Sequence, residues 1–260
     1  MLRPRIVPCL LVHNKGLVKT VKFKEGKYVG DPLNAVKIFN EKEVDELMIL
    51  DIDATVEGRE PDFELIRNIA IESRMPLCYG GGVKTIEHAK RIISLGAEKV
   101  AISSAAVEDL TIITRMADAV GSQSVVVVID VKARGLLGKK EVVTHNAMHP
   151  TGLNPVEFAI QCEKKGAGEL VINAVDKDGT MTGYDLKLIR EIRNATTIPM
   201  TILGGASSLD DVAGAISEFG VLGVAAGSLF VFKGKYKAVL INYPNRSEKF
   251  DLLQRAINNK

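Results

Sequence analysis

The stretch Glu46-Leu-Met-Ile-Leu-Asp-Ile-Asp53 returns later in the chain as Glu169-Leu-Val-Ile-Asn-Ala-Val-Asp176, at an offset of 169 − 46 = 123 residues. Two further pairs of segments repeat at nearly the same distance: Pro76–Gly82 with Pro199–Gly205, and Lys99–Val107 with Gly223–Val231. In each segment an apolar run of strand length is followed by polar residues or glycines. Near-constant offsets over three segments indicate two copies of one structural unit.

The order of elements around these repeats predicts the fold class. Eight apolar runs are typical of buried strands: Arg5–Val12, Glu46–Ile52, Pro76–Tyr79, Lys99–Ser103, Ser124–Val131, Glu169–Ala174, Pro199–Leu203 and Gly223–Ala226. Helical segments alternate with them over Pro32–Glu43, Phe63–Arg74, Thr85–Leu95, Leu110–Val120, Pro155–Lys165, Leu186–Ala195, Leu209–Phe219 and, near the C-terminus, around Phe250–Asn258. Eight strand–helix units in 260 residues predict an α/β fold, the (β/α)8 TIM barrel. We expect a single domain over residues 1–260, made of half-barrels over about residues 1–121 and 122–260.

An open, doubly wound sheet is the alternative architecture for alternating strands and helices. That sheet normally carries a glycine-rich phosphate turn after its first strand, whereas the turn here is His13-Asn-Lys-Gly16. Two separate domains would need a linker near the midpoint, but Gly121-Ser-Gln-Ser-Val125 runs directly into the fifth strand. The barrel is therefore the preferred prediction.

Composition excludes several classes of function. The 34 Lys and Arg residues against 32 Asp and Glu residues give a net charge of +2, too low for nucleic-acid binding driven by bulk charge. The longest apolar runs have the length of strands, so no membrane span is expected. Three cysteines without CxxC spacing (Cys9, Cys78 and Cys162) are typical of buried thiols in a reducing cytoplasm. The four histidines form no metal-binding pattern, and we expect neither a metal nor a cofactor.

Glycine and serine residues end four of the predicted strands, where the active site of such a barrel lies. The first half of the chain contributes Gly81, Gly82, Ser103 and Ser104, and the second half contributes Gly204, Gly205, Gly227 and Ser228. A glycine turn beside a helix N-terminus exposes backbone N–H groups that suit a phosphate dianion. Two such sites predict a phosphorylated small molecule with phosphates at both ends. The alternative is that the glycines only make tight turns.

Charged residues follow the same strand ends. Asp51 and Asp130 end the second and fifth strands, and Asp178-Gly179 follows the sixth. A carboxylate in this place acts as a general acid or base or binds a sugar hydroxyl, although Asp51 could equally be a helix cap or a salt-bridge partner. Lys19 and the basic stretch Lys22–Lys27 either close over a phosphate or form a solvated loop. His88, on a predicted helix, is expected at the surface.

Motifs along nearly the whole chain match one family. They include Arg5-Ile-Val-Pro-Cys-Leu10, Leu50-Asp-Ile-Asp-Ala-Thr55, Ile102-Ser-Ser-Ala-Ala-Val107, Gly166-Ala-Gly-Glu169 and, most specifically, Asp176-Lys-Asp-Gly-Thr-Met-Thr-Gly-Tyr-Asp185. On these residues the chain resembles the cyclase subunit of imidazole glycerol phosphate synthase, a lyase of histidine biosynthesis. The resemblance implies an ammonia-dependent cyclase activity at the C-terminal ends of the barrel strands.

The resemblance also implies a partner. The family subunit forms a heterodimer with a glutaminase at the N-terminal face of its barrel and takes ammonia from it through a charged gate. The gate matches Arg5, Glu46, Lys99 and Glu169 here, and Glu98 matches the partner interface. Four charges at strand starts would ring the base of a barrel, so ordinary salt bridges are the alternative explanation.

Departures from the family pattern concern the cyclase face. The family uses two aspartates at the ends of strands one and five; the second is Asp130, but Leu11 stands at the position of the first. Aligning Ile6–Val12 with Val125–Val131 within the internal repeat also sets Leu11 opposite Asp130. An alkyl side chain transfers no proton, and loss of one acid–base group costs about 10²–10⁴-fold in rate. Leu203 replaces a small hydroxyl residue before the second glycine pair. A kept gate with an altered cyclase face is the pattern of a paralogue.

Three functions remain for such a chain. The preferred one is a cyclase-like subunit that docks a glutaminase and channels ammonia for the amidation of a sugar in O-antigen or other surface-polysaccharide biosynthesis, together with a sugar amidotransferase. The second is an active cyclase of histidine biosynthesis. The third is a non-catalytic scaffold that activates a glutaminase. All three place the protein in the cytoplasm.

Overall fold

A closed barrel of eight parallel strands forms the centre of the computed structural model, which describes residues 3–135 and 138–258. We number the barrel strands β1 (Arg5–His13), β2 (Leu47–Asp51), β3 (Leu77–Gly80), β4 (Lys99–Ile102), β5 (Val125–Arg134), β6 (Glu169–Ala174), β7 (Met200–Leu203) and β8 (Gly223–Ala226). Each strand pairs with the next, and β8 returns to β1 in the register Arg5↔Gly223. The pairing leaves no open edge in this ring, so the predicted TIM barrel is confirmed and the open sheet is excluded.

Eight helices cover the outside of the barrel. They are α1 (Pro32–Glu41), α2 (Phe63–Glu72), α3 (Ile86–Ser94), α4 (Thr111–Val120), α5 (Pro155–Lys164), α6 (Leu186–Ala195), α7 (Leu209–Phe219) and α8 (Arg246–Asn258). Local sequence explains where several of them begin. Asp31 accepts a hydrogen bond from the Asn34 N–H at the start of α1, and Ser208 accepts one from the Asp211 N–H in α7. The last helix begins four residues earlier than the predicted Phe250.

Additional elements decorate the C-terminal end of the barrel. A hairpin of Gly16–Val21 and Lys24–Gly30, here called the β1 hairpin, pairs with the end of β1. Lys139–Thr144 pairs antiparallel with the end of β5 and, on its other side, with His149–Pro150. Phe232–Lys233 pairs with Ala238–Val239. Short helices cover Ser104–Glu108 and Ser228–Val231, whereas a 3-10 turn over Ser122–Ser124 lies at the opposite end, directly before β5. The stretch Lys22–Lys27 is therefore part of a hairpin rather than a loop.

Two apolar layers explain the stability of this arrangement. One lies between strands and helices, and the other fills the inside of the barrel with side chains such as Val7, Met48, Val126 and Val171. Strand residues alternate between the two layers because successive side chains point to opposite faces. His88 belongs to the outer layer and is only 8% exposed, with Phe63 packed edge-on against it, so its expected surface position is wrong.

Candidate functional site

A cavity of about 240 Å³ opens at the C-terminal ends of the strands. Loops from both halves of the chain surround it: the β1 hairpin contributes Lys19 and Phe23, and the segment after β5 contributes His145 and Asn146. Asn146 Nδ2 donates to the carbonyl oxygen of Ile52 at 2.8 Å, which ties this segment across the mouth. The cavity therefore lies where a barrel of this type carries its chemistry.

The predicted phosphate residues of the first half all line this cavity. Gly81, Gly82, Ser103 and Ser104 stand together on its wall. Gly81 has φ +117°, and a Cβ there would lie 2.3 Å from the carbonyl oxygen of Asp51, so glycine is required for this close approach. The Gly82 N–H donates to Thr55 Oγ1 at 3.2 Å, so a ligand would compete with that hydroxyl for it.

The predicted residues of the second half are more enclosed. Gly227 lines the cavity, whereas Gly204, Gly205, Ser228 and Gly179 lie outside its lining. The side chain of Lys19 covers this side, because a Cβ at Gly227 would meet Lys19 Cε at 2.8 Å. The structure thus brings the two halves to one barrel end but leaves them unequally accessible.

Lys19 and Asp178 form a buried ion pair in the cavity wall. Lys19 Nζ lies 3.0 Å from both carboxylate oxygens of Asp178 and donates to the Thr20 carbonyl at 2.8 Å. Both side chains are nearly inaccessible, at 4% and 8% exposure. Each charge is compensated by the other, so Lys19 would have to leave Asp178 to meet a phosphate.

Asp51 lines the cavity and also has a structural role, since its carboxylate caps backbone N–H groups and lies near an arginine. Its Oδ1 accepts hydrogen bonds from the N–H groups of Asp53 and Ala54, and Arg59 Nη1 lies 3.7 Å from Oδ2. Burial raises the pKa of Asp51, and the two backbone hydrogen bonds oppose that rise.

Asp130 is the only titratable member of the expected catalytic pair. Burial raises the pKa of Asp130 to about 7, and the hydrogen bond from Asn173 Nδ2 at 2.9 Å opposes this rise. Leu11 lines the same cavity at 9% exposure, and Leu203 adds a second alkyl side chain to the wall. A single carboxylate of raised pKa beside apolar neighbours can exchange a proton near neutral pH.

The four predicted gate residues meet at the opposite, N-terminal end of the barrel. Lys99 Nζ lies 2.8 Å from Glu46 Oε1 and 2.8 Å from Glu169 Oε2. Arg5 contacts Glu46 as well and donates to Glu169 Oε1 at 2.7 Å. The result is a closed ring of alternating charges, here called the charge ring. Burial acts to raise the pKa of Glu169, but Lys99 and Arg5 hold it below its ordinary value.

Two inward-facing polar residues were missed from the sequence. Thr201 Oγ1 donates to Glu169 Oε1 at 2.5 Å and so joins the charge ring, and Asn173 contacts Asp130. The alternation along β6, with Glu169, Val171 and Asn173 on the same face, was the signal that could have placed Asn173 inside the barrel. Glu98, the predicted interface residue, accepts a hydrogen bond from the Leu77 N–H at 2.6 Å near the same barrel end.

The described part of the chain has neither a metal-binding cluster nor a membrane-spanning helix. There, no cluster of three or more His, Cys, Asp and Glu side chains has a geometry that could hold a metal ion. All three cysteines are free and buried, and burial raises the pKa of Cys9 to about 12. No helix within the described ranges is both long enough and apolar enough to cross a bilayer.

Comparison with known proteins gives one consistent result. Residues 5–237 match the family model described as "Histidine biosynthesis protein". The chain is 56% identical over 254 residues to "Putative imidazole glycerol phosphate synthase subunit hisF3" of Vibrio vulnificus, covering 98% of both chains. It is 54% identical to "Putative imidazole glycerol phosphate synthase subunit HisF" of Leptospira interrogans (96% and 98% covered) and 51% identical to "Putative imidazole glycerol phosphate synthase subunit hisF2" of Pseudomonas aeruginosa (94% and 97% covered).

Proposed function

This chain belongs to the histidine biosynthesis protein family, and we propose that it is a paralogous cyclase-like subunit that docks a glutaminase and conducts ammonia through its barrel. One observation carries the proposal: the charge ring closes the N-terminal end of the barrel directly below an interior that leads to the cavity. A ring used only for stability would gain little from burying Glu46 and Glu169 inside a barrel, since desolvation offsets most of the Coulomb attraction.

The barrel interior above the ring is suited to a neutral molecule. Val7, Cys9, Met48, Cys78 and Val171 pack inside it, and burial keeps the two thiols neutral by raising their pKa values. Ammonia is small and uncharged and crosses such a layer, whereas ammonium would lose its hydration there. The apolar interior therefore supports transfer of NH3 rather than NH4⁺.

The ligand of the cavity is proposed to be a phosphate ester. Gly81, Gly82 and Ser104 offer a turn and a helix start beside open space, and the second-half residues would bind a further phosphate once Lys19 moves. Titration calorimetry of inorganic phosphate with the wild type and with Ser104→Ala tests the first site. If the natural ligand has phosphates at both ends, inorganic phosphate is expected to show a second binding event in the wild type. That event is expected to disappear in Ser228→Ala.

We propose that the ammonia is consumed in the amidation of a sugar for a surface polysaccharide, by a sugar amidotransferase that receives it at the cavity end. The support is the retained charge ring together with Leu11 and Leu203 on the cyclase face. The active cyclase is the second candidate, because Asp130 keeps its place in the cavity. A scaffold that only activates a glutaminase would need no passage at all.

Co-purification with the cognate glutaminase is the first test. We expect a one-to-one complex whose glutaminase activity exceeds that of the free glutaminase, and we expect Glu98→Lys to weaken it. The control is Glu25→Lys, an equal charge change in the exposed β1 hairpin at the other barrel end. A glutaminase that is fully active alone and forms no complex would contradict the proposal.

A further inference from the structure

Two hairpins lie side by side at the rim of the cavity. One is the β1 hairpin, whose Phe23 lines the cavity. The other pairs Phe232–Lys233 with Ala238–Val239 and is here called the β8 hairpin. The short helix Ser228–Val231 leads from Gly227 in the cavity wall directly into the β8 hairpin. Both hairpins are therefore anchored at the cavity end of the barrel.

Lys27 of the β1 hairpin joins the two hairpins. Its Nζ donates to the carbonyl oxygen of Lys237 at 2.8 Å and lies 5.2 Å from the centre of the Phe232 ring, which is a cation–π contact. The hairpins therefore present one continuous surface, here called the two-hairpin surface, rather than two independent loops.

The two-hairpin surface is strongly basic. Apart from the buried Lys19, it carries six lysines against a single carboxylate, that of Glu25. Among the described residues, none of the six lysines forms an ion pair. The whole chain has a net charge of only +2, so the rest of the molecule is negative on balance. A concentrated charge of this kind attracts a partner of opposite sign. The six lysines are Lys22, Lys24, Lys27, Lys233, Lys235 and Lys237.

Exposed apolar side chains accompany this charge. Tyr236 is 89% exposed, and Val239 and Leu240 follow it at 42% and 49%. Tyrosine supplies a large contact area in protein–protein interfaces, and aliphatic side chains gain from burial against another protein. A phosphate backbone offers no such gain, so these residues favour an acidic protein surface over a nucleic acid. A second copy of this chain would bring like charges together if the same faces met, which repulsion disfavours.

We propose that the two-hairpin surface docks the enzyme that consumes the ammonia, through an acidic face beside the entrance to that enzyme's own site. The inference rests on the proposed function, which delivers ammonia to the cavity end, and it names the surface on which the receiving enzyme sits. Docking at the rim covers the cavity mouth, so that neutral ammonia passes from one protein to the other without meeting solvent. Opposite charges on the two faces speed the encounter and set its orientation.

The test measures binding of the purified cognate sugar amidotransferase to the whole chain by surface plasmon resonance, at low and at high salt. The surface variant reverses three exposed lysines of the two hairpins: Lys24→Glu, Lys233→Glu and Lys235→Glu. The control variant makes the same charge change on exposed lysines of the outer helices α3, α5 and α6: Lys90→Glu, Lys164→Glu and Lys187→Glu. Thermal melting of each variant checks that it folds like the wild type.

The surface variant is expected to associate about 10-fold or more slowly than the wild type at low salt, and the control variant at nearly the wild-type rate. Because salt screens exposed charges, the difference between the surface variant and the wild type is expected to shrink at about 1 M NaCl. Tyr236→Ala is expected to bind roughly 10-fold more weakly through faster dissociation, since it removes contact area rather than charge.

Duplex DNA is titrated in parallel as the other polyanion. Three results would overturn the inference: no binding of the amidotransferase to the wild type, equal losses in the surface and control variants, or binding of DNA in place of the amidotransferase that only the surface variant loses. None of these results affects the glutaminase complex, which forms at the opposite barrel end and is tested with Glu98→Lys. A missing glutaminase complex beside charge-dependent amidotransferase binding would contradict the conduit and leave the docking surface standing.

Discussion

At the scale of single residues, the proposed difference from an ordinary cyclase rests on Leu11. Its side chain lies in the cavity wall that also holds Asp130, where a second carboxylate would be needed to move a proton on the other side of a substrate. Neither of the other two aspartates that line the cavity replaces it directly, because Asp51 is held by two backbone N–H groups and Asp178 by Lys19.

The first prediction is that the wild type has little or no cyclase activity. With saturating ammonium and the bisphosphate substrate of imidazole glycerol phosphate synthase, product formation is expected to rise about 10²-fold or more in Leu11→Asp. Leu11→Asn is the control, since an amide of the same size transfers no proton. If the substrate does not fit, the double variant with Leu203→Ser is expected to show the gain. Wild-type turnover comparable to that of active cyclases would support the histidine pathway instead.

The second prediction concerns the buried carboxyl group of Asp130. Burial raises its pKa in the native state to about 7 from 3.8, so the native protein holds this proton more tightly than the unfolded chain. The stabilisation is complete below about pH 4 and is lost as the pH rises through 7. The free energy of unfolding of the wild type, relative to Asp130→Asn, is expected to fall over this range by at most about 1.4 kcal/mol per pH unit.

Denaturant titrations of the two proteins at several pH values measure this difference. The comparison with Asp130→Asn removes the contributions of all other titrating groups that the proteins share. If the difference in free energy of unfolding between the two proteins stays constant between pH 4 and 8, the pKa of Asp130 is not raised in the native protein.

At the scale of elements, a glycine of β8 makes room for the charge ring. A Cβ at Gly223 would lie 1.9 Å from Thr201 Oγ1, the hydroxyl that donates to Glu169. Gly214, within α7, is different: a Cβ there meets nothing within 4 Å. The two positions therefore allow one substitution to be compared in two environments.

Gly223→Ala is expected to destabilise the protein by about 1–3 kcal/mol, because overpacking forces neighbouring atoms apart. Gly214→Ala is expected to stabilise it by about 0.5–1 kcal/mol, since alanine loses less conformational entropy in a helix. Chemical denaturation of both variants gives the two values. A neutral Gly223→Ala would mean that Thr201 moves freely and does not hold Glu169.

A further prediction at this scale concerns the β1 hairpin. Phe23 at its turn packs against Val143, Ala147 and Val175 across the barrel mouth. Phe23→Ala is expected to make the hairpin more sensitive to limited proteolysis, because these contacts hold it down. Tyr28→Ala is the control, an aromatic residue of the same hairpin that is 65% exposed. Equal cleavage of the two variants would show that the hairpin is held without Phe23.

The elements differ in how well the sequence predicts them. All eight barrel strands lie within a few residues of their predicted bounds, because apolar runs buried on both faces have few alternatives. The β1 hairpin was not predicted, since Lys24–Gly30 is polar and exposed and is ordered by pairing with a neighbour. His88 is buried by contacts from other segments, such as Phe63 of α2. The sequence of its own helix, α3, gives no information about these contacts.

The candidate site was predicted in part, for a related physical reason. Asp130, Ser104 and the charge ring occupy strand ends, a place that topology alone assigns. The pairing of Lys19 with Asp178 and the contact of Asn173 with Asp130 each join residues far apart in sequence. Such contacts depend on side-chain rotamers inside the barrel, which no local pattern specifies. The division into half-barrels stays a prediction from the internal repeat.

At the scale of the whole molecule, the two barrel ends have complementary properties. The N-terminal end is closed by Arg5, Glu46, Lys99 and Glu169, and the C-terminal end is an open cavity. Between them lies an apolar interior that favours neutral molecules. We propose that ammonia travels this route from a glutaminase and is not released into solvent.

Isotope competition distinguishes passage through the barrel from release into solvent. The cognate glutaminase, this chain and the amidotransferase are supplied with amide-¹⁵N glutamine and an excess of unlabelled ammonium, and the ¹⁵N content of the amidated product is measured. For the wild type we predict a product that keeps the label, and for Glu169→Ala a product diluted toward the isotope ratio of the bulk ammonium. A wild-type product that already has the bulk ratio would contradict passage through the barrel.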